Sequence, residues 1–331
     1  MTTAVVILNW NGRNLLEQFL PSVIRYSKEA RVYVADNASS DDSVSFIKGN
    51  FPEVNIIENK ENGGFAKGYN LALSGLQEDI FVLLNSDVQV TKDWLKPVLQ
   101  ILKDEPKTAV VQPKILDFKR KDYFEYAGAA GGFIDKYGYP FCRGRIFETL
   151  EKDHGQYNQD VPIFWASGAC LAIKKSVYWE AGALDEDFFA HQEEIDLCWR
   201  IHNLGYHIKS SGLSSVHHVG GATLDRMNPR KTFFNFRNSL YMLLKNLPAT
   251  HVFGILFIRM ILDGVAGIKF LAEGKFSHLY TILQAHSAFY RNFKKIYLKR
   301  KGIPKNPKYF QTKSIIWSYF CLKRKEFSKL K

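Results

Sequence analysis

The chain has 331 residues, 46% hydrophobic and 24% charged, a globular composition with ample core that excludes a disordered or fibrous protein. Its formal net charge of +12 is concentrated at one end: residues 291–331 hold 14 Lys or Arg against a single acid, Glu326, and the rest of the chain is close to neutral. A terminal basic excess with no nucleic-acid-binding motif beside it argues against nucleic acid as a partner.

The N-terminus, MTTAVVILNWNG, has no basic n-region and no small-residue cleavage site, so it reads as a first strand rather than a signal peptide. Four dispersed cysteines (Cys142, Cys170, Cys198, Cys321) without a C-x-x-C pair point to reduced thiols and a cytoplasmic setting. Apolar, β-branched runs then alternate with helical patterns: TAVVILN, a helix from about Arg13, RVYVAD, a helix from about Asp41, VNIIE, a helix near Phe65, and DIFVLLN. This alternation predicts an α/β fold, a mostly parallel central sheet flanked by helices, with ligands beyond the carboxyl ends of the strands. Polar clusters stand at those ends: Asn9-Trp10-Asn11, Asp36-Asn37 and Asn85-Ser86-Asp87. Between Pro106 and Thr223 the pattern predicts strands over TAVVQPKI, PIFWASG and ACLAIKK, a Gly-rich stretch at 127–132, and a helix over EEIDLCWRIHNLG ending at Gly205.

Past about Arg226 the chain turns aromatic, apolar and basic. The segment THVFGILFIRMILDGVAGIKFLAEG is interrupted by Arg259, Asp263 and Lys269, so it is not expected to span a membrane. At helical spacing His251, Arg259, Asp263, Lys269 and Glu273 share an arc of about 120°, leaving a broad apolar face. An in-plane helix followed by a polybasic, aromatic-dotted tail suits an anionic membrane surface, with about 1 kcal/mol gained per basic group near it. The alternative is a core-packing helix with a solvated tail.

Several residues are placed for chemistry. Asp36 could accept from a nucleobase N–H or a ribose hydroxyl, or serve as a turn acid before Ser39 and Ser40. In ENGGFAKGYN, Gly63 and Gly64 open a helix whose N–H groups could meet a diphosphate, with Lys67 one turn in; the spacing is neither a dinucleotide fingerprint nor a P-loop. Asp87 could bridge a divalent ion to phosphate oxygens if His217-His218 supplies a second ligand; otherwise the histidines are a satisfied strand end. Glu193, Glu194 and Asp196 crowd a helix start, where capping favours acids, yet acids near a nucleotide site would also provide a general base.

Taken in order, VVILNWNG, VADNASSDDS, NGGFAKGYN, LLNSD, ASGACLAIKKS, DEDFFAHQEEIDLCWR and VHHVGGAT resemble glycosyltransferase family 2, in particular its rhamnosyltransferase-like members, over residues 3 to about 225. The trailing TFFNFRNSLYMLLKNLP is similar to the segment after the catalytic domain in those members. The resemblance implies a GT-A fold: a catalytic domain at 1–225, with a nucleotide-binding half at about 1–105 and an acceptor half at 106–225, then a helical, basic, membrane-associating region at 226–331. It further implies that Asn9, Trp10, Asn11, Asp36 and Asn37 hold the base and ribose, with Gly63, Gly64, Lys67, Asn85 and Ser86 also on the nucleotide-sugar side. Asp87 and His218, the latter at an H-x-G-G-x-[ST] position, would bind Mg2+ or Mn2+. Glu194 would be the base, with Glu193 as fallback, and Asp196 would orient its neighbours or bind acceptor. Two departures stand out: Glu194 replaces a usual Asp, one methylene longer, and Asn85-Ser86-Asp87 replaces a two-carboxylate Asp-x-Asp.

The implied activity is inverting, metal-dependent transfer of a sugar to a lipid-linked or nascent polysaccharide acceptor by a cytoplasmic, peripheral membrane enzyme touching the anionic inner face through residues 248–331. Rhamnose from dTDP-rhamnose is the leading donor, with UDP-hexoses open. The alternative, motivated by the two departures, is a non-catalytic nucleotide-sugar or polysaccharide-binding partner with a degenerate site.

Overall fold

The computed structural model describes residues 1–220, 228–300 and 308–330. The N-terminal elements are β1 (Thr3–Asn9), α1 (Arg13–Tyr26), β2 (Arg31–Asp36), α2 (Ser43–Asn50), β3 (Asn55–Glu58), α3 (Gly64–Ser74) and β4 (Ile80–Asn85). β5 (Val88–Val90), α4 (Leu95–Asp104) and β6 (Thr108–Asp117) follow, then four short strands, β7 (Gly132–Ile134), β8 (Pro140–Cys142), β9 (Arg145–Ile146) and β10 (Thr149–Leu150). The remainder is β11 (Val161–Pro162), β12 (Cys170–Lys174), α5 (Lys175–Glu180), α6 (Glu193–Asn203), β13 (His207–His218), α7 (Pro229–Asn246), α8 (Val252–Ala272) and α9 (Phe276–Leu298).

Among the described residues the main sheet has nine strands in the order β11-β13-β6-β12-β4-β1-β2-β3, with β5 on β13. β1 lies between β2 and β4, both parallel to it, and its apolar run Ala4–Ile7 is buried on both faces, as a central parallel strand requires. α4 shows why the flanking helices dock: Leu95, Val98, Ile101 and Leu102 recur at helical spacing and are the residues it buries. β12 is antiparallel to both β4 and β6, and β13 is parallel to β6. The carboxyl end of β13, at His218, therefore lies on the same sheet edge as the carboxyl ends of β1, β2 and β4.

The strand expected over PIFWASG is replaced by a loop after Pro162, apart from a single bridge from Trp165 to Gly132. Its backbone is satisfied piecemeal instead of by a ladder: Ile163 N–H donates to Ile208 O at 2.9 Å, Phe164 and Trp165 N–H to Gly132 O at 2.8 and 3.1 Å, and Ser167 N–H to Gln112 Oε1 at 2.7 Å, while Ala166 N–H points to Cys198 Sγ at 3.4 Å. The small sheet β10-β9-β8-β7 was not apparent in the sequence pattern, because its strands have only two or three residues each.

The C-terminal region packs onto the rest in one continuous hydrophobic core that includes Leu240–Leu244, Ile255, Phe289 and Tyr309. Residues 308–330 return to the small sheet, where Ile315 is buried, its N–H donates to Asp135 Oδ2 at 3.0 Å, and Phe327 packs 5.2 Å from Phe133. α8 turns Arg259 and Asp263 inward, while Lys269 stays exposed. Arg259 Nε donates to Asp263 Oδ1 at 2.8 Å, His286 Nε2 lies 3.2 Å from Asp263 Oδ2, and the Arg259 guanidinium stacks over Tyr139. Its outer face is apolar: Phe253, Phe257, Ile261, Val265 and Ile268 are each more than half exposed. No helix among the described residues is long and apolar enough to cross a membrane.

Candidate active site

The predicted nucleotide-side residues meet at the sheet edge. Asn9 is fully buried, and its Nδ2 donates to Asp36 Oδ1 at 3.1 Å and to Ser39 Oγ at 3.3 Å. Asp36 Oδ2 accepts from Ser39 N–H at 2.9 Å, so the turn role holds, on a carboxylate that retains free lone pairs at the strand end. Asn11, left-handed at φ 50°, caps the facing turn by accepting from Ser40 N–H at 2.7 Å. Trp10 beside it is half exposed, a flat ring available for stacking. Asn37 Nδ2 donates to Asn62 Oδ1 and to Gly64 O, both at 3.0 Å, and thereby fixes the glycine turn.

Gly64 has φ +71°, and a Cβ there would lie 2.7 Å from Phe189 O, so only glycine lets the turn press against the loop before α6. Lys67 is ion-paired with Glu61. Ser86 sits close to the Asn9 loop: a Cβ on Gly12 would be 2.4 Å from Asn9 Oδ1 and 3.8 Å from Ser86 Oγ. Asn85 N–H is held by Ala169 O at 3.0 Å.

Asp87 and His218 are brought together by β5 pairing with the end of β13, with His218 opposite Val88. Both are buried. His218 Nε2 lies 3.0 Å from Asp87 Oδ1, and its Nδ1 lies 3.1 Å from Glu125 Oε2. Burial alone would favour the neutral ring, but hydrogen bonds to Asp87 and Glu125 outweigh it and raise the imidazole to about 10. The pair fits a divalent cation that takes the place of the Nε2 proton: an imidazole backed by a carboxylate on its far nitrogen is a common metal-binding arrangement, and 3.0 Å is about the edge of an octahedron with 2.1 Å bonds. No cluster of three or more His, Cys, Asp or Glu suited to a metal occurs among the described residues, so a cation here would draw its other ligands from water and phosphate. Residues 221–223, which complete the H-x-G-G-x-[ST] stretch, lie outside the described residues.

The acidic helix start is built under strain. Phe189, His191 and Gln192 have φ of 63°, 70° and 68°, left-handed values that cost a non-glycine residue on the order of 1 kcal/mol or more each. Glu193 and Glu194 follow at once, and the Oε2 of each is buried without a hydrogen-bond partner among the described residues. Glu193 is almost fully buried, whereas Glu194 keeps partial access. Burial, reinforced by the charge of Glu194, holds Glu193 well above the usual carboxylate range. Burial likewise pushes Glu194 up to about 7, with nearby backbone N–H groups pulling the other way. Asp196 stands apart from this pair, at 0% exposure. Its Oδ2 takes Lys245 at 2.7 Å and Arg200 at 2.9 Å, and its Oδ1 takes Asn246 at 2.8 Å. Of the two roles expected for it, this geometry suits support beneath the acidic pair.

Sequence reasoning missed Glu125, Lys245, Asn246, Asn238 and Gln192. A signal existed for α7: Asn235, Asn238, Ser239, Lys245 and Asn246 recur at three-, four- and seven-residue intervals within an otherwise aromatic and apolar helix, and most of this polar stripe is buried. Nothing local marks Glu125, which meets His218 only through the fold.

A family model described as glycosyl transferase family 2 matches residues 4–182. The N-acetylglucosaminyl-diphospho-decaprenol L-rhamnosyltransferase of Mycobacterium tuberculosis is 25% identical over 221 residues, covering 61% of this chain and 71% of that protein. Among solved structures, GalNAc-T7 with UDP, GalNAc and Mn2+ superposes with a TM-score of 0.59 at 16% identity, over 75% of this chain and 48% of that one. A mannosyltransferase from Pyrobaculum calidifontis in complex with GDP-Man and Mn2+ gives 0.53 at 16% identity, over 90% of this chain and 84% of that one.

Proposed function

Because the chain belongs to glycosyltransferase family 2 and is a glycosyltransferase of the GT-A fold, we propose that it moves a sugar with inversion from a nucleotide sugar to a lipid-linked or nascent polysaccharide acceptor. The observation that carries the mechanism is the strained 188–192 loop, which presents Glu194 partly exposed, with one oxygen unpartnered among the described residues and a carboxyl raised to about 7. Burial raises both carboxyls, and Glu193 is the more deeply buried, so Glu194 is the member with access to an acceptor hydroxyl and the one that can act as base.

In the reaction an acceptor hydroxyl gives its proton to Glu194 as its oxygen attacks the anomeric carbon. The bond to the nucleoside diphosphate breaks on the opposite face, and the electron pair leaves with the phosphate. Asp87 and His218 are the residues to hold Mg2+ or Mn2+, which when bound neutralises charge on the leaving diphosphate. Asn9, Asp36, Asn37 and Trp10 provide the hydrogen-bonding and stacking edge for the base and ribose, with Gly63, Gly64 and Lys67 beside the phosphates. The rhamnosyltransferase relative makes dTDP-rhamnose the first donor to try. A nucleotide-release assay over dTDP-, UDP- and GDP-sugars with and without Mn2+ tests the reading, and absence of turnover with every donor in the presence of an acceptor extract rejects it. Asp87→Ala should lower turnover by about 100-fold or more and remove the Mn2+ dependence of nucleotide binding measured by calorimetry. Metal-dependent binding that survives the substitution would remove Asp87 from that role.

We also infer that the outer face of α8 and α9 lies on an anionic membrane surface. Phe257, Val265 and Ile268 on α8 and Phe276, Tyr280 and Leu283 on α9 are each more than half exposed, more large apolar surface than a monomer usually leaves to water, and the basic residues lie in the chain that follows. Deleting the tail is a poor test, because Lys295 and Lys299 are ion-paired to Asp187 and Ile315 is buried. Replacing Phe257 and Ile261 by Glu leaves that packing intact. The wild type should float with phosphatidylglycerol vesicles and the double variant should not, while both turn over a soluble acceptor alike. Equal flotation would reject the surface.

A further inference from the structure

We propose that Asn238 on α7 is a positioning residue that locks the 188–192 loop and so fixes where the carboxyls of Glu193 and Glu194 stand for proton transfer; the inference rests on the acidic helix start supplying the base. Asn238 is fully buried. Its Nδ2 donates to Ala190 O at 2.8 Å, to His191 O at 2.7 Å and to Phe188 O at 3.1 Å, two hydrogens shared among three carbonyls. Its Oδ1 accepts from Arg237 Nε at 2.9 Å, which aims the Arg237 Nη2 at Asp187 O and Phe188 O, at 2.9 and 3.0 Å. One residue on, Ser239 Oγ accepts from Gln192 Nε2 at 2.9 Å, and Asn235 O accepts from the same amide at 3.1 Å.

The backbone acceptors of the loop are thereby accounted for one by one. Asp187, Phe188, Ala190 and His191 give their carbonyls to α7, Phe189 gives its carbonyl to Phe65 N–H at 3.0 Å, and Gln192 O takes the Asp196 N–H of α6. Three non-glycine residues of the loop are left-handed, a conformation that persists only where the surroundings over-determine it. An amide suits the task because it brings two donors on one neutral, planar nitrogen; a carboxylate has no donor and an ammonium would bury a charge. A residue that merely filled space under the loop would be served by an apolar side chain. The hydrogen bonds of Asn238 end instead on the residues that aim the acidic pair.

The test compares Asn238→Ala with Leu243→Ala, a cavity on the same helix at a buried leucine that packs beside Gly138. Three quantities are read on each: kcat, KM for the nucleotide sugar, and hydrogen exchange at the Phe65 amide and across 187–192. Asn238→Ala should lose about 100-fold in kcat, the scale set by an ångström of misplacement, with KM within about threefold of wild type. Exchange at Phe65 and through the loop should accelerate. Leu243→Ala, at a comparable loss of thermal stability, should keep wild-type kcat and loop exchange. If Asn238→Ala does not fold, Asn238→Asp, equal in shape but without the donors, is read by the same criteria. A kcat for the Asn238 variant no lower than for Leu243→Ala, a loss confined to KM, or unchanged exchange overturns the inference. Glu194→Gln in the same assays separates the two levels: an inactive Glu194→Gln beside a fully active Asn238→Ala rejects the positioning role alone, whereas an active Glu194→Gln rejects the base assignment beneath it.

Discussion

Glu194→Gln should abolish sugar transfer, by about 100- to 10,000-fold in kcat, the range that removal of a positioned general base costs. The substitution keeps shape and the neutral form's hydrogen bonding, so binding of the nucleotide, on the far side of the glycine turn, should be unchanged by calorimetry. Glu193→Gln should retain activity within about tenfold, because Glu193 is deeply buried and that burial disfavours the ionised form a base requires. The wild-type rate should rise with pH through about 7, where burial places the Glu194 carboxyl, since only the ionised form accepts a proton. That limb should vanish in Glu194→Gln. Retained turnover in Glu194→Gln with loss in Glu193→Gln would transfer the role to its neighbour.

The same substitution should stabilise the protein. A carboxyl whose folded value is raised above the unfolded one, near 4.3, gives the native state extra protons between the two values, so stability falls as pH rises through that window. Gln does not titrate. Above pH 7 Glu194→Gln should therefore melt higher than wild type, and a variant that is dead yet more heat-stable distinguishes a burial cost borne for catalysis from ordinary structural damage. Equal melting at pH 8 and pH 5 for the two proteins would show that the carboxyl is not held up by burial.

Much of this was legible in the sequence, and the reason is periodicity. β1 to β4 and the helices between them alternate cleanly, so polar residues directly after apolar runs had to fall on one sheet edge, and Asn9, Asp36, Asn85 and Asp87 do. The acidic start of α6 was legible as an excess of acids over what capping needs. What could not be read was pairing across distance. Glu125 faces His218 only because β6 and β13 run parallel and the chain after β6 folds back beside them, which no local pattern encodes. The loop over 163–169 misled because an apolar, aromatic run reads as a strand, while its hydrogen bonds scatter over the distant Ile208 and Gly132 carbonyls and the Gln112 and Cys198 side chains, partners that local pattern cannot foresee. On α8 the expected polar arc is split: Arg259 and Asp263 are buried against the protein, whereas His251, Lys269 and Glu273 are exposed, and the apolar side faces outward, as the in-plane reading required.

α7 joins the stability of the molecule to its chemistry, and Lys245→Met should expose this as a loss of about 3 kcal/mol or more, the scale of breaking a buried ion pair by removing one partner. Lys245 is 4% exposed, and its Nζ lies 2.7 Å from Asp196 Oδ2 and also pairs with Asp185. Without it Asp196, which has no exposure, keeps only Arg200 and Asn246, and Asp185 keeps Lys299. Burial opposes ionisation of both acids, but the charge of Lys245, helped by Arg200 at Asp196 and by Lys299 at Asp185, holds both below the ordinary carboxylate range. A depressed folded value means the stabilisation is complete above the unfolded value, near 3.9, and is lost as pH falls below it. Wild type should therefore lose stability steeply below about pH 4, and Lys245→Met, whose acids are less depressed, should start lower and fall less. Urea melts at pH 7 and pH 3 give both slopes. A difference at pH 7 under about 1 kcal/mol would mean that the remaining cations compensate and that the pair is a surface-strength contact despite its burial. With the larger loss, the first turn of α6 is tied to α7 twice, through Asp196 from below and through the left-handed loop from before. The acidic pair then owes its position to a helix that itself contributes no group to the reaction.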